Sequence, residues 1–282
     1  MNPIDQRFAR QLSCGDVLVI TGAGCSTNSG IPDYRDDDGR WKRSQPMQWQ
    51  MFRSSAGARR RYWARSLVGW PTVADARPGK AHQVLAALES KGVLRWLVTQ
   101  NVDGLHQRAG SRQVTDLHGR LDTVRCLQCQ RVENRDLYQE RLFDANPGWA
   151  AQPSSIRPDG DADIDDVQLD GFQVPGCRFC GEVVKPDVVF FGENVPRSRV
   201  ESVSQQLADS RLLLVVGSSL MVWSGYRFVR MAARLGVPVA IINRGRTRGD
   251  AEASWRLEGD CAALLAHCAE LVGINGVNRH VS

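Results

Sequence analysis

The chain has 282 residues, 42% of them hydrophobic and 24% charged. That length allows one large domain, or a large domain carrying a smaller insertion. Its 36 basic and 31 acidic residues leave a net charge of +5, and no recognition-helix or RNA-binding motif accompanies it, so no nucleic-acid partner is expected.

The longest apolar runs, residues 17–20, 212–216 and 237–242, fall far short of the roughly 20 residues a membrane helix needs, so no membrane partner is expected. Arg59, Arg60 and Arg61 form the one tight basic cluster, which reads as a solvated helix face. The opening residues, MNPIDQRFARQLSCGD, lack the apolar stretch of a signal peptide, and little chain precedes the first strand. The expectation is a cytoplasmic protein starting at or near Met1.

In chain order, residues 17–20 (VLVI) read as a buried strand running straight into T-G-A-G-C-S-T. A helix follows at 81–89, with Val84, Leu85 and Leu88 on one face, then a strand at 94–99. Helical spacing returns at 200–208. Strands at 211–216 and 237–242 end at Gly217 and Asn243, and a helix at 260–271 closes the pattern. This alternation predicts an α/β fold: a Rossmann-like parallel sheet with helices on both faces. Two stretches break it, 36–77 (rich in Arg, Trp and Gln) and 121–183, which includes the acidic string R-P-D-G-D-A-D-I-D-D. The expected organisation is a nucleotide-binding domain from 1–35, 78–120 and 184–282. A helical insertion (36–77) and a cysteine-bearing module (121–183) would form a small domain, with the active site in the cleft between.

Gly22-Ala23-Gly24 follows a strand, where glycines let backbone N–H groups approach a pyrophosphate at a helix N-terminus. The third glycine of the usual fingerprint is replaced by Thr27, and no acidic residue is clearly placed about 20 positions on, so a plain tight turn stays open as a reading. Four of the eight cysteines form two C-x-x-C pairs, Cys126/Cys129 and Cys177/Cys180. Four thiolates complete a tetrahedral Zn²⁺ site with no open position, so that ion should be structural. The unpaired Cys25, in the glycine turn, reads as a packing position rather than a nucleophile. Polar residues at a strand's C-terminal end, Gln100, Asn101 and Asp103, point into the crevice where α/β folds bind ligands. His118 alone carries little weight, since a single histidine is more often structural.

Together these segments resemble the sirtuins. The matching strings are G-A-G-C-S-T-N-S-G-I-P-D-Y-R (22–35), T-Q-N-V-D-G-L-H (99–106), L-H-G (117–119), the paired cysteines, K-P-D-V-V-F-F-G-E (185–193), G-S-S-L (217–220) and I-N-R (242–244), in family order over most of the chain. Sirtuins use a variant dinucleotide fold, which accounts for the missing glycine. Within the family, R-Y-W-A-R-S-L-V-G-W-P (61–71), W-L-V-T-Q-N-V-D (96–103) and F-Q-V-P-G-C (172–177) look most like class II, the type that includes the fourth human sirtuin.

The resemblance implies an NAD-dependent protein-lysine deacylase acting on acyl-lysine peptides, with release of nicotinamide and transfer of the acyl group to ADP-ribose. NAD would lie along Gly22, Ala23, Gly24 and Ser26. Asp33, Tyr34 and Arg35 would cover its nicotinamide ribose, with Gln100, Asn101 and Asp103 beneath. Gly217, Ser218, Ser219, Asn243 and the backbone at Cys261 would hold the adenosine end. The acyl-lysine oxygen would attack the ribose C1′, and His118 would then deprotonate a ribose hydroxyl, apt for a group mostly neutral at pH 7. The peptide would add along Val188, Val189, Phe190, Phe191, Gly192 and Glu193. Tyr62-x-x-Arg65 matches a carboxylate clamp of acidic-acyl sirtuins, although ordinary helix packing explains it equally well. The acidic stretch at 159–170 reads either as disordered or as a loop that, in this class, would reach toward the acyl channel. Two other readings of the same site are protein mono-ADP-ribosyl transfer and a non-catalytic reader of NAD or acyl-lysine. Nothing in the sequence indicates the oligomeric state.

Overall fold

The computed structural model describes residues 6–34, 36, 40, 42, 46–149, 155–156, 162–163, 169 and 171–274. A short helix, α1 (Gln6–Ser13), leads into β1 (Val17–Thr21), which is buried at all five positions. A strand with no polar face belongs in the middle of a sheet covered on both sides. Next come two 3-10 turns, Ala23–Cys25 and Thr27–Ser29, then α2 (Trp49–Ser54), α3 (Ala56–Asp75), α4 (Lys80–Ser90), β2 (Leu94–Thr99), α5 (Leu105–Arg108) and β3 (Val114–Asp116). The chain continues through β4 (Gly119–Cys126), β5 (Val132–Asn134), α6 (Arg135–Ala145), β6 (Ser155–Ile156), β7 (Ala162–Asp163) and β8 (Val184–Val188). It finishes with α7 (Arg197–Ala208), β9 (Leu212–Val216), α8 (Trp223–Leu235), β10 (Val239–Asn243), β11 (Trp255–Glu258) and α9 (Cys261–Leu271).

Six strands form one sheet in the order β11-β10-β9-β1-β2-β3, with every pair parallel. Strand pleating sends Val17 and Val19 into one core with Val84, Leu85, Leu88 and Leu265 of α4 and α9, while Leu18 and Ile20 face Val203, Leu207, Phe228 and Val229 of α7 and α8. This is the expected Rossmann-like sheet with helices on both faces. The chain builds outward from β1 to β2 and β3, then returns to β1's other side with β9. The crevice beyond the carboxyl ends of β1 and β9 is therefore a topological switch point, the place where such sheets bind ligands.

A third core lies outside this sheet. It joins Phe52, Tyr62, Trp63 and Trp70 of α2 and α3 to Leu121, Val124, Tyr138 and Phe190. An antiparallel sheet, β5-β4-β8, forms one wall. Here the sequence-based boundary needs correction. The segment from 184, grouped with the parallel sheet, instead pairs with β4 in the register Cys126↔Val184 and Arg125↔Lys185. The reason is local: the second cysteine knuckle delivers the chain beside the strand that ends in the first knuckle, where pairing satisfies the backbone groups of both. Most of the acidic stretch at 159–170 lies outside the described residues. Its described residues are β7, which pairs with β6 and lies against α3, and Leu169, which is buried in the third core. Among the described residues, no helix is long and apolar enough to cross a membrane.

Candidate active site

A cavity of about 570 Å³ opens at the switch point and runs into the cleft beside the third core. Its sheet side is lined by Gly22, Ala23, Gly24 and Ser26 after β1, by Gln100, Asn101, Asp103 and His118, by Gly217, Ser218 and Ser219 after β9, and by Asn243 and Cys261. Asp33 and Tyr34 lie across it, and Tyr62 with Val188, Val189, Phe190 and Phe191 lines its other end. Arg35 lies outside the described residues. The structure thus brings together residues drawn from across the chain, but it changes several of their readings.

The glycine turn does not open a long helix; it is two single 3-10 turns ended by Gly30 at φ +82°. Anion binding here would rest on backbone N–H groups rather than on a helix dipole. The glycines also serve packing. A Cβ on Gly24 would sit 2.9 Å from Gly217 Cα, and one on Gly22 would sit 2.7 Å from Ser218 Cβ. The two turns therefore press together without side chains, leaving a bare backbone cradle of the kind a pyrophosphate requires.

Beside that cradle the polar side chains bond to one another. Asn101 Nδ2 donates to Gly22 O (3.1 Å) and Ser26 Oγ (3.0 Å), and Ser26 Oγ–H donates to Asp103 Oδ2 at 2.7 Å. Asp103 Oδ1 accepts the Leu105 N–H at 2.9 Å. Sequence reasoning missed what lies behind them. His82 Nε2 is 3.4 Å from Ser26 Oγ, His106 Nε2 is 2.9 Å from Thr21 Oγ1, and the two imidazoles stack edge-on at 4.7 Å. Burial pushes both below the ordinary histidine range, so the pair is neutral. One signal was present: His82 interrupts the apolar face formed by Val84, Leu85 and Leu88.

His118 is held at both ring nitrogens. Nδ1 lies 2.9 Å from Gln100 O and Nε2 lies 2.8 Å from Ser224 Oγ. A carbonyl only accepts, so Nδ1 carries the proton and Nε2 keeps its lone pair. Burial depresses the group to about 4; the bond to the Gln100 carbonyl opposes this, and the Arg199 charge adds to it. The imidazole is thus neutral at physiological pH. Its neighbour Gly119, at φ +82°, is required by close approach, since a Cβ there would lie only 2.0 Å from Asp187 O. That approach sets β8 beside the base, where Val189 N–H donates to His118 O at 2.7 Å.

The proposed peptide edge is only partly free. Besides Val189 N–H, the Phe190 N–H is taken by the Glu193 carboxylate (2.9 Å), Phe190 O by Glu193 N–H (3.0 Å), and Phe191 O by Trp49 N–H (2.8 Å). Gly192 and Glu193 do not line the cavity. Glu193 instead binds Lys185 Nζ at 2.6 and 2.8 Å, and its role is to fix the turn. Arg65 also departs from expectation. It follows Tyr62 by about one helical turn, yet only Tyr62 lines the cavity. The Tyr62 ring is fixed edge-on against Phe52 (5.5 Å), Trp63 (5.3 Å) and Phe190 (5.3 Å). At the opposite rim, Arg244 and Asp260 form an ion pair at 2.8 Å that the sequence did not suggest. Burial raises the Cys25 thiol well above its usual range and the Cys261 thiol to about 11, which suits packing rather than nucleophilic roles.

The four paired cysteines converge away from this cavity, with all four sulfur atoms within 4.8 Å of one another. Cys126 and Cys180 Sγ are 3.5 Å apart, and Cys129 and Cys177 Sγ are 3.6 Å apart. A tetrahedral Zn²⁺ with bonds of about 2.3 Å needs sulfurs roughly 3.8 Å apart. The residues fit one zinc ion, and four thiolates leave no position for a reactant.

The model of the Sir2 family matches residues 22–224. The chain belongs to this family. Among its relatives, an NAD-dependent protein deacetylase of Xanthomonas axonopodis pv. citri is 58% identical over 250 residues, covering 89% of this chain and 85% of that protein. NAD-dependent protein deacetylase 2 of Bradyrhizobium diazoefficiens is 54% identical over 250 residues, covering 89% of this chain and 92% of the relative. A solved Sir2 with a p53 peptide and NAD⁺ superposes with a TM-score of 0.75 at 29% identity, covering 96% of this chain and 99% of that one. A Sir2 complex with 2′-O-acetyl-ADP-ribose and deacetylated p53 peptide gives 0.76 at 28%, covering 96% and 100%.

Proposed function

We propose that this chain is an NAD-dependent protein-lysine deacetylase that transfers the acyl group to ADP-ribose. The carrying observation is His118: a neutral base of defined tautomer, in the same cavity as the bare glycine cradle and the Asn101–Ser26–Asp103 cluster. NAD, when bound, supplies an electrophilic ribose carbon and the hydroxyl that accepts the acyl group. The chain's own residues do the rest. The cradle leaves room for phosphates, Asn101 and Asp103 orient the nicotinamide riboside, and His118 Nε2 takes a proton from a ribose hydroxyl. The zinc ion would hold the two knuckles, and with them β4 and β8, in register.

We further assign the chain to class II, with a preference for acyl groups longer than acetyl, acidic ones included. Ile31, Met47, Tyr62 and Phe190 supply an apolar and aromatic lining suited to a longer chain, and β7 lies against the helix that carries Tyr62 and Arg65. The test is a panel of acetyl-, succinyl- and glutaryl-lysine peptides with NAD⁺, followed by nicotinamide release and mass spectrometry. The expected products are free lysine and O-acyl-ADP-ribose; ADP-ribosylated protein in their place would overturn the assignment. For the acyl preference, Tyr62, which does line the cavity, is the residue to test: Tyr62→Phe should lower succinyl-lysine turnover more than acetyl-lysine turnover. Equal losses would remove the Tyr62 hydroxyl from acyl recognition.

A further inference from the structure

The reactive nitrogen of His118 is already occupied. Gln100 O fixes the proton on Nδ1, so the contact at Nε2 has one possible polarity: Ser224 Oγ–H donates and Nε2 accepts, at 2.8 Å. Ser224 is the second residue of α8, buried, and not among the residues lining the cavity, whereas His118 is. Val222, two residues earlier at the start of α8, does line it, so the hydroxyl reaches Nε2 at the edge of the cavity. The next residue explains how it comes so close. A Cβ on Gly225 would lie 2.6 Å from Gln100 Oε1, so glycine lets the first turn of α8 settle on Gln100 without displacing its amide. Gln100 in turn donates from Nε2 to Ser218 Oγ at 2.8 Å, on the nucleotide side of the cavity. A continuous set of hydrogen bonds thus runs from α8 through the base to the cofactor turn.

We infer that Ser224 is a positioning residue for the base: its hydroxyl holds the imidazole in one orientation in the free enzyme and yields Nε2 to a ribose hydroxyl when NAD enters. The inference rests on the deacetylase reading for its consequence, though not for its geometry. An imidazole nitrogen has one lone pair, so Ser224 and a ribose hydroxyl cannot both donate to it. Rotation of Ser224 about χ1 frees the lone pair without moving the ring, which Gln100 O still holds. A hydroxyl donated to Nε2 also favours the neutral imidazole, in the same direction as burial. Among the described residues, the charged group acting on the ring is Arg199 of α7. The other elements bonded to the ring contribute neutral groups: Gln100 O after β2 and Ser224 in the first turn of α8.

The decisive experiment is ¹⁵N NMR of histidine-labelled chain without NAD, using His118→Ala to assign the signal. The wild-type ring should be the Nδ1–H tautomer with Nε2 as acceptor, titrating near pH 4. Ser224→Ala should move that titration up by about 0.5–1 pH unit, and by a similar amount in an Arg199→Gln background. Ser224→Thr, which keeps the hydroxyl, should restore the wild-type value. The acid limb of kcat/KM should move with the NMR titration. A wild-type Nε2–H tautomer, or a Ser224→Ala titration equal to wild type, would overturn the inference. Absence of deacetylation with the expected NMR shifts would instead count against the proposed function and leave the Ser224–His118 bond standing.

Discussion

The two sides of the cavity are built by different physics. On the sheet side, short polar side chains and bare backbone sit at the ends of buried strands, tied by hydrogen bonds of 2.7–3.1 Å to neighbours on other strand ends or on α8. On the module side, the wall is an aromatic cluster of Phe52, Tyr62, Trp63 and Phe190, backed by a sheet that two cysteine knuckles hold together. Directional bonds hold atoms to fractions of an ångström, as the proposed ribose chemistry requires. Dispersion packing tolerates changes of shape, as the proposed range of acyl chains requires.

Metal removal should separate the two sides most sharply. Structural zinc contributes an apparent 10–16 kcal/mol in small zinc domains, so a strong chelator, or Cys126→Ser, should abolish deacetylation. It should also collapse the near-ultraviolet circular dichroism of Trp63 and Trp70 while the far-ultraviolet signal of the parallel sheet survives. If both signals are lost together, the two regions are one cooperative unit.

His118→Ala should lower acyl transfer by about 10²–10⁴-fold with little change in Tm, since it removes a base from the sheet side without opening any of the three cores. A comparable loss of fold would make His118 a structural residue.

Gly119→Ala tests the seam between the sides. Positive φ and the approach of Asp187 O together should cost about 2–5 kcal/mol, read as a fall in Tm. Acyl transfer should also fall, because β8 is pushed away from His118 O. An unchanged Tm would show that the seam yields cheaply.

The smallest effect is graded with pH. His82, His106 and His118 all belong to the sheet side and are all depressed by burial. The unfolded chain takes up protons below about pH 6.5, whereas the native chain does so only at lower pH. Stability from these groups is therefore complete above pH 6.5 and is lost as the pH falls toward 4, where His118 titrates. Thermal melts from pH 7.5 to 4.5 should show a progressive fall in Tm that His82→Asn reduces. A flat profile would mean that the three imidazoles titrate alike in both states.

Much of the sheet side was legible in the sequence. Apolar runs marked the central strands, and the polar residues just beyond their carboxyl ends had to face the switch-point crevice, because a parallel sheet offers them no other outlet. The two knuckles were legible because both ligands of a pair lie within one turn of chain. Reading failed where partners are distant. Tyr62 reached the cavity and Arg65 did not, since the direction in which α3 presents each residue depends on the core packed beneath it. The edge at 188–193 looked free until Trp49, His118 and Glu193 were found bonded to it.

By itself, the sequence determined where strands end in glycine or polar turns and that the cysteines fall into two close pairs, which are short-range properties of spacing and backbone freedom. The grouping of His118 with Asn101 and Asp103 came from the resemblance to the sirtuins. Only the tertiary structure decided that β8 pairs with β4, that His82 and His106 lie behind Ser26 and Thr21, and that Ser224 caps the base from 106 residues away. Contacts of that kind depend on how helices pack onto the sheet, and no local spacing records it.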